Sequence, residues 1–146
     1  MASASGSPLS YRIELASPLA GEDVRVRFVI TNEGAEPLTV LKWYTPLEGI
    51  AGNILQVVCD GKVVPYKGPQ IKRGQPGPDD YVTVDPGKSV SGVVALSEAY
   101  DLPAAGECTV AFKRPVQTVT SPARPDRASR RNIVVHGNTL QFRFGQ

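Results

Sequence analysis

Apolar and polar residues alternate along residues 23–32 (DVRVRFVITN), and the rest of the chain is organised around this stretch. Val24, Val26, Phe28 and Ile30 fall on one side of an extended backbone. Arg25, Arg27 and Thr31 fall on the other, with Val29 as the one apolar exception. A period of two built from β-branched and aromatic residues marks a strand that buries one face and wets the other. Asn32, Gly34 and Pro37 then interrupt it, each favouring a turn for its own steric reason. LTVL begins the return, and a half-buried hairpin needs further strands over its apolar face.

The alternation recurs. In residues 9–15 (LSYRIEL), Tyr11, Ile13 and Leu15 share a face; residues 38–44 (LTVLKWY) predict a third strand. Residues 53–60 (NILQVVCD) predict another, closed by Asp60-Gly61, a strong two-residue hairpin signal. Residues 62–66 return, with Pro65 confined to an edge or a strand end because it has no N–H to give. Residues 81–84 and 88–96 flank an Asp85-Pro86-Gly87 turn, and residues 97–102 suggest one helical turn. Residues 107–112 put Cys108, Val110 and Phe112 on one face, and residues 132–135 and 138–144 close the chain. Short strands with turn signals about every 8–12 residues describe an all-β fold. The expectation is an antiparallel two-sheet, immunoglobulin-like β-sandwich of about eight strands. The likeness to antibody domains is architectural, since Trp43 precedes both cysteines.

Length and composition narrow the reading. A chain of 146 residues predicts a single domain over 9–146, after a flexible leader at 1–8. The leader has neither a basic nor an apolar region and does not read as a signal peptide. The expected location is therefore cytoplasmic as the chain stands, or secreted if a leader has been removed. No apolar run approaches the ~20 residues that cross a bilayer, so no membrane association is expected. The net charge of +2 is small, but it is unevenly spread. Residues 113–131 hold six basic residues against Asp126 alone, leaving ten basic and thirteen acidic residues elsewhere. Pro115, Pro122 and Pro125 argue against a helix there, and the stretch reads as a basic loop. Nucleic acid is not expected as a partner, because no aromatics are interleaved to stack on bases. Residues 67–80 form a second long loop rich in Pro and Gly, and loops of that length are often functional.

Candidate chemistry is sparse. Cys59 and Cys108 permit one disulfide; the simpler reading is two buried thiols acting as small apolar side chains. They and the single His136 do not supply the four closely spaced ligands of a structural zinc site. No HExxH, Gly-rich phosphate loop, CxxC pair or G-x-S-x-G elbow occurs. Asp79-Asp80 could attract a hard cation, but solvation of a turn is the plainer role. The expectation is a binding protein, not an enzyme, with no cofactor and no bound metal.

Three segments taken in order carry a resemblance: ITNEGAEPLTVLKWYTPLEG; DGKVVPYKGPQIKRGQPGPDDYVTVDPGKSVSGVVALSEAYDLPAAGECTVAF; and NTLQFRF. Together they resemble the N-terminal propeptide domain of the deuterolysin and peptidyl-lysine metalloendopeptidase (aspzincin) family of secreted zinc proteases, over about residues 9–144. In that family the domain precedes a catalytic domain, which is not seen here, so no zinc ligands carry over. The resemblance implies a non-catalytic module that binds a zinc metalloprotease, as inhibitor or folding chaperone; a monomer or weak dimer is expected. Loops 45–50, 67–80 and 124–131 are the expected contacts. Trp43, Tyr66 and Tyr81 are candidate anchors, joined by Arg124, Arg127, Arg130 and Arg131, because aromatic and Arg residues dominate interface energetics. Lys72 and Arg73 are candidates to mimic substrate in the acidic pocket of a lysine-preferring protease. The alternative is a structural or adhesion sandwich that binds carbohydrate or another protein.

Overall fold

A computed structural model describes residues 8–16, 24–50, 52–71, 74, 77–103, 105–114, 116–119, 130–133 and 135–144. The fold is all-β. Among the described residues there are twelve strands: β1 (Leu9–Leu15), β2 (Arg25–Asn32), β3 (Leu38–Leu41), β4 (Leu55–Cys59), β5 (Lys62–Val63), β6 (Tyr81–Val84), β7 (Ser89–Ala95), β8 (Gly106–Phe112), β9 (Val116–Val119), β10 (Arg130–Ile133), β11 (His136–Gly137) and β12 (Leu140–Phe144). A single helical turn, α1 (Leu96–Ala99), lies between β7 and β8, where one turn was expected. No helix among the described residues is long and apolar enough to cross a membrane.

The strands form three four-stranded sheets, ordered β11-β1-β2-β7, β10-β9-β3-β6 and β12-β8-β4-β5. The expected all-β, sandwich-like fold is present, with three sheets where two were expected and twelve strands among the described residues where about eight were expected. Part of the difference lies in the basic stretch 113–131, which is not a loop throughout. β9 pairs with both β3 and β10, and Val116 and Thr118 are buried. The prolines there forbid helix, but Val116-Gln117-Thr118-Val119 alternates like any other strand. Residues 1–7 of the leader and residues 120–129 lie outside the described residues.

β2 behaves as its pattern dictates. Val24, Val26, Phe28 and Ile30 are all buried, and Arg25 is exposed. β1 and β7 flank it antiparallel, with Phe28 opposite both Ile13 and Gly92. The outer face of this sheet is wet: Glu14 accepts from Arg12 at 2.9 Å and Arg27 at 3.3 Å, and the Thr31 and Ser89 hydroxyls share a hydrogen bond at 2.7 Å. On the inner face Tyr11, Phe28 and Phe112 form a ring cluster with centroids 5.0–5.7 Å apart. That contact joins the first sheet to the third. One hydrophobic cluster draws side chains from all three sheets.

Two features close the core. Gly92 faces a 3-10 turn at Pro46–Glu48, and a Cβ there would lie 2.6 Å from the Pro46 carbonyl oxygen. Only glycine lets that turn approach so closely. The second feature corrects the reading of the cysteines as thiols. Cys59 and Cys108 are direct register partners on β4 and β8, and they form a disulfide. Spacing along the chain carried no hint of this, because the two are brought together by strand pairing alone. Both sulfurs are committed, so neither is available as a thiolate.

Candidate functional site

The segment TPLEG folds for local reasons. Thr45 caps the 3-10 turn, its hydroxyl accepting from the Leu47 N–H at 3.1 Å and donating to the Lys42 carbonyl at 2.7 Å. Pro46 fills the first helical position and Gly49, with φ of 93°, ends it. Glu48 reaches back to accept from the Tyr44 N–H at 2.8 Å. Tyr44 is thereby held at φ of 62°, a left-handed conformation that costs a non-glycine residue about 1–2 kcal/mol. Such strain persists where the surroundings over-determine it, and it is common at functional sites.

The Tyr44 ring carries the Arg114 guanidinium at 5.0 Å from its centroid. Around this pair lies an open concavity of about 380 Å³, lined by Tyr44, Gly52, Asn53, Ile54, Gln70, Ile71 and Arg114. A second one, of about 370 Å³, is lined by Ile50, Pro69, Val93, Glu98 and neighbours. Successive residues of the same two loops, 49–54 and 69–71, border both. Ile71 and Val93 are each 47% exposed. Two of the three loops expected to make contact therefore line concave, partly apolar surface.

A tyrosine pair, Tyr100 buried and Tyr66 half-buried, supports this surface. The Tyr100 hydroxyl donates to Asn53 Oδ1 at 2.9 Å and accepts from the Leu55 N–H at 3.0 Å. The Tyr66 ring packs edge-on against Tyr100 at 5.2 Å, and its hydroxyl donates to the Pro69 carbonyl. Burial pushes the Tyr100 hydroxyl above its ordinary pKa; the Leu55 N–H pulls the other way and Tyr66 adds a further upward push. Burial raises Tyr66 as well. The folded value exceeds the unfolded one, so this stability is complete below the ordinary value of about 10 and is lost as pH rises through the folded value. Denaturation midpoints measured between about pH 9 and about pH 12 should fall, and Tyr100→Phe should flatten part of that slope. A slope unchanged in Tyr100→Phe would show that other groups cause it.

The sequence candidates are placed as follows. Trp43 is 8% exposed and offers little surface to a partner, in keeping with a core side chain. Tyr66 and Tyr81 are half-buried, Tyr66 beneath the 67–71 loop and Tyr81 opposite Leu41 on β6. Arg130 and Arg131 open β10, opposite Val119 and Thr118. Lys72, Arg73, Arg124 and Arg127 lie outside the described residues. His136 is exposed on β11 beside Ser10. Asp80 serves a turn, accepting from the Gly77 N–H at 2.7 Å. Among the described residues no group of three or more His, Cys, Asp and Glu could hold a metal ion. Sequence reasoning missed Tyr44, Asn53 and Ile71 and counted Arg114 only as one charge in a basic stretch. A positive φ at a tyrosine leaves no trace in sequence.

No family model matches the chain. It is similar to an extracellular protease of Aeromonas hydrophila, 34% identical over 116 residues that make up 77% of this chain and 33% of the relative. The chain thus spans about a third of the length of that curated relative, and the likeness is to one part of a protease.

Proposed function

We propose that this chain is a protease-associated, propeptide-like binding module that docks on a zinc metalloprotease of the deuterolysin type and acts without chemistry of its own. The alignment of three quarters of the chain with a third of an extracellular protease carries this reading. Binding needs only a rigid, complementary surface. The concave face bordered by loops 49–54 and 69–71 has the exposed aliphatics and the arginine for it. Burial of Trp43, Phe28, Phe112 and Tyr100 leaves few aromatics for a sugar-stacking platform, which weighs against the carbohydrate alternative.

The same reading puts the protein in an exported compartment. Its relative is described as extracellular, and disulfides persist in oxidising surroundings. The experiment is titration of the chain into the Aeromonas protease, with proteolysis and complex formation followed together. A dose-dependent fall in proteolysis with a stoichiometric complex is expected for an inhibitor. A raised yield of active protease on refolding is expected for a folding assistant. Neither effect at micromolar chain, with no complex, would overturn the proposal.

A further inference from the structure

We infer that the concavity between Tyr44 and Arg114 is a carboxylate-recognition subsite, which takes an acidic side chain from an extended segment of a partner protein. The partner rests on the protease-associated reading; the chemistry of the subsite does not.

Arg114 and Asn53 bring N–H donors to this site, and the Gln70 amide lines it as well. No ion pair ties the Arg114 guanidinium to a carboxylate among the described residues, and its recorded contact is the face of Tyr44. A cation–π contact uses no carboxylate, so the guanidinium keeps N–H groups for a forked contact with one. Asn53 is exposed, but its oxygen is taken by the buried Tyr100 hydroxyl, so the NH2 group is what it has left to offer. Both side chains sit on fixed backbone. The Lys113 N–H, one residue before Arg114, donates to the Ile54 carbonyl at 3.1 Å, next to Asn53. Tyr44 is locked by Glu48 in its left-handed conformation. That conformation sets the ring under the cation.

Two features favour a carboxylate on a carbon chain over a phosphate. Arg114 is the one cationic residue among the described residues that line the site, and beside the amides of Asn53 and Gln70 its walls are apolar: Ile54, Ile71 and the Tyr44 ring. The apolar walls suit the methylene stem of a glutamate. An internal residue of an extended segment fits better than a chain terminus, because the concavity is open and the same loops lead on to Ile50 and Val93.

The test uses the whole chain and three pentapeptides: two capped at both ends, one with a central glutamate between leucines and one with glutamine in its place, and a third capped only at its N-terminus so that it ends in a free carboxylate. Amide chemical shifts of Gly52, Asn53, Ile71 and Arg114 report binding. The glutamate peptide is expected to shift these signals and to bind roughly tenfold more tightly than the glutamine peptide, the worth of a charge-assisted hydrogen bond. Arg114→Ala should remove that preference, Arg114→Lys should restore part of it, and added salt should weaken it. Equal binding of the glutamate and glutamine peptides, binding that survives Arg114→Ala, or binding only of the free-carboxylate peptide would each overturn the inference. Because no protease is present, this result and the protease titration can fail independently.

Discussion

Removing the Cys59–Cys108 bridge, by reduction or by the double change Cys59→Ala and Cys108→Ala, is expected to destabilise the protein by about 4 kcal/mol. The bridge closes a loop with a sequence separation of 49, and the chain-entropy relation for a loop of that size gives this figure. It staples β4 to β8 at the core of the third sheet, with Cys108 fully buried and Cys59 nearly so. In a chain of this length the loss corresponds to a fall in Tm of roughly 10–15 °C. Urea denaturation with and without reductant measures it directly. A change below about 1 kcal/mol would mean that strand pairing alone holds β4 and β8 together in the unfolded ensemble's reference state, contrary to the entropic account.

Asn32→Ala is expected to cost about 2–4 kcal/mol, although Asn32 looks in sequence like an ordinary turn residue. Asn32 is fully buried. Its amide donates to the Glu36 carbonyl at 2.7 Å and the Val84 carbonyl at 2.8 Å, and its oxygen accepts from the Gly34 N–H at 2.9 Å. Its backbone bonds Lys88 and Gly87 as well. One side chain thus ends β2, shapes the turn and ties the first sheet to β6 of the second. Alanine leaves three backbone groups without partners, at least one of them deeply buried.

Asn32→Asp sharpens the test. Its carboxylate would face two carbonyl oxygens, so the folded state would favour the protonated acid and raise its pKa. Stability of that variant should then be greatest at low pH and fall as pH rises through the raised value, an effect Asn32→Ala lacks. A pH-independent difference between the two variants would refute this account of the site.

Asn138 repeats the device at β1. Its side-chain amide exchanges hydrogen bonds with the Ile13 N–H at 2.8 Å and the Ile13 carbonyl at 3.0 Å, as a neighbouring strand would. Both asparagines act as backbone surrogates, and neither role is marked by a local pattern. The Asp60-Gly61 turn is the opposite case. Asp60 and Gly61 take φ of 50° and 81°, and Cys59 faces Lys62 across a two-residue loop, as the pair of residues demands.

The sequence by itself determined most of the strands, β9 being an exception, and which face of β2 turns inward, because alternation is a property of neighbours two residues apart and the hydrophobic effect reads it directly. It determined the Asp60-Gly61 turn and the capped Thr45-Pro46 turn for the same reason: short-range sterics and short-range hydrogen bonds. Only the tertiary structure decided that the strands divide into three sheets, that Cys59 meets Cys108, and that Arg114 comes to rest on Tyr44 beside Asn53. Those outcomes depend on which edges pair and in what register. Pairing is settled by the packing of one shared core, among residues whose distance along the chain carries no information about their distance in space.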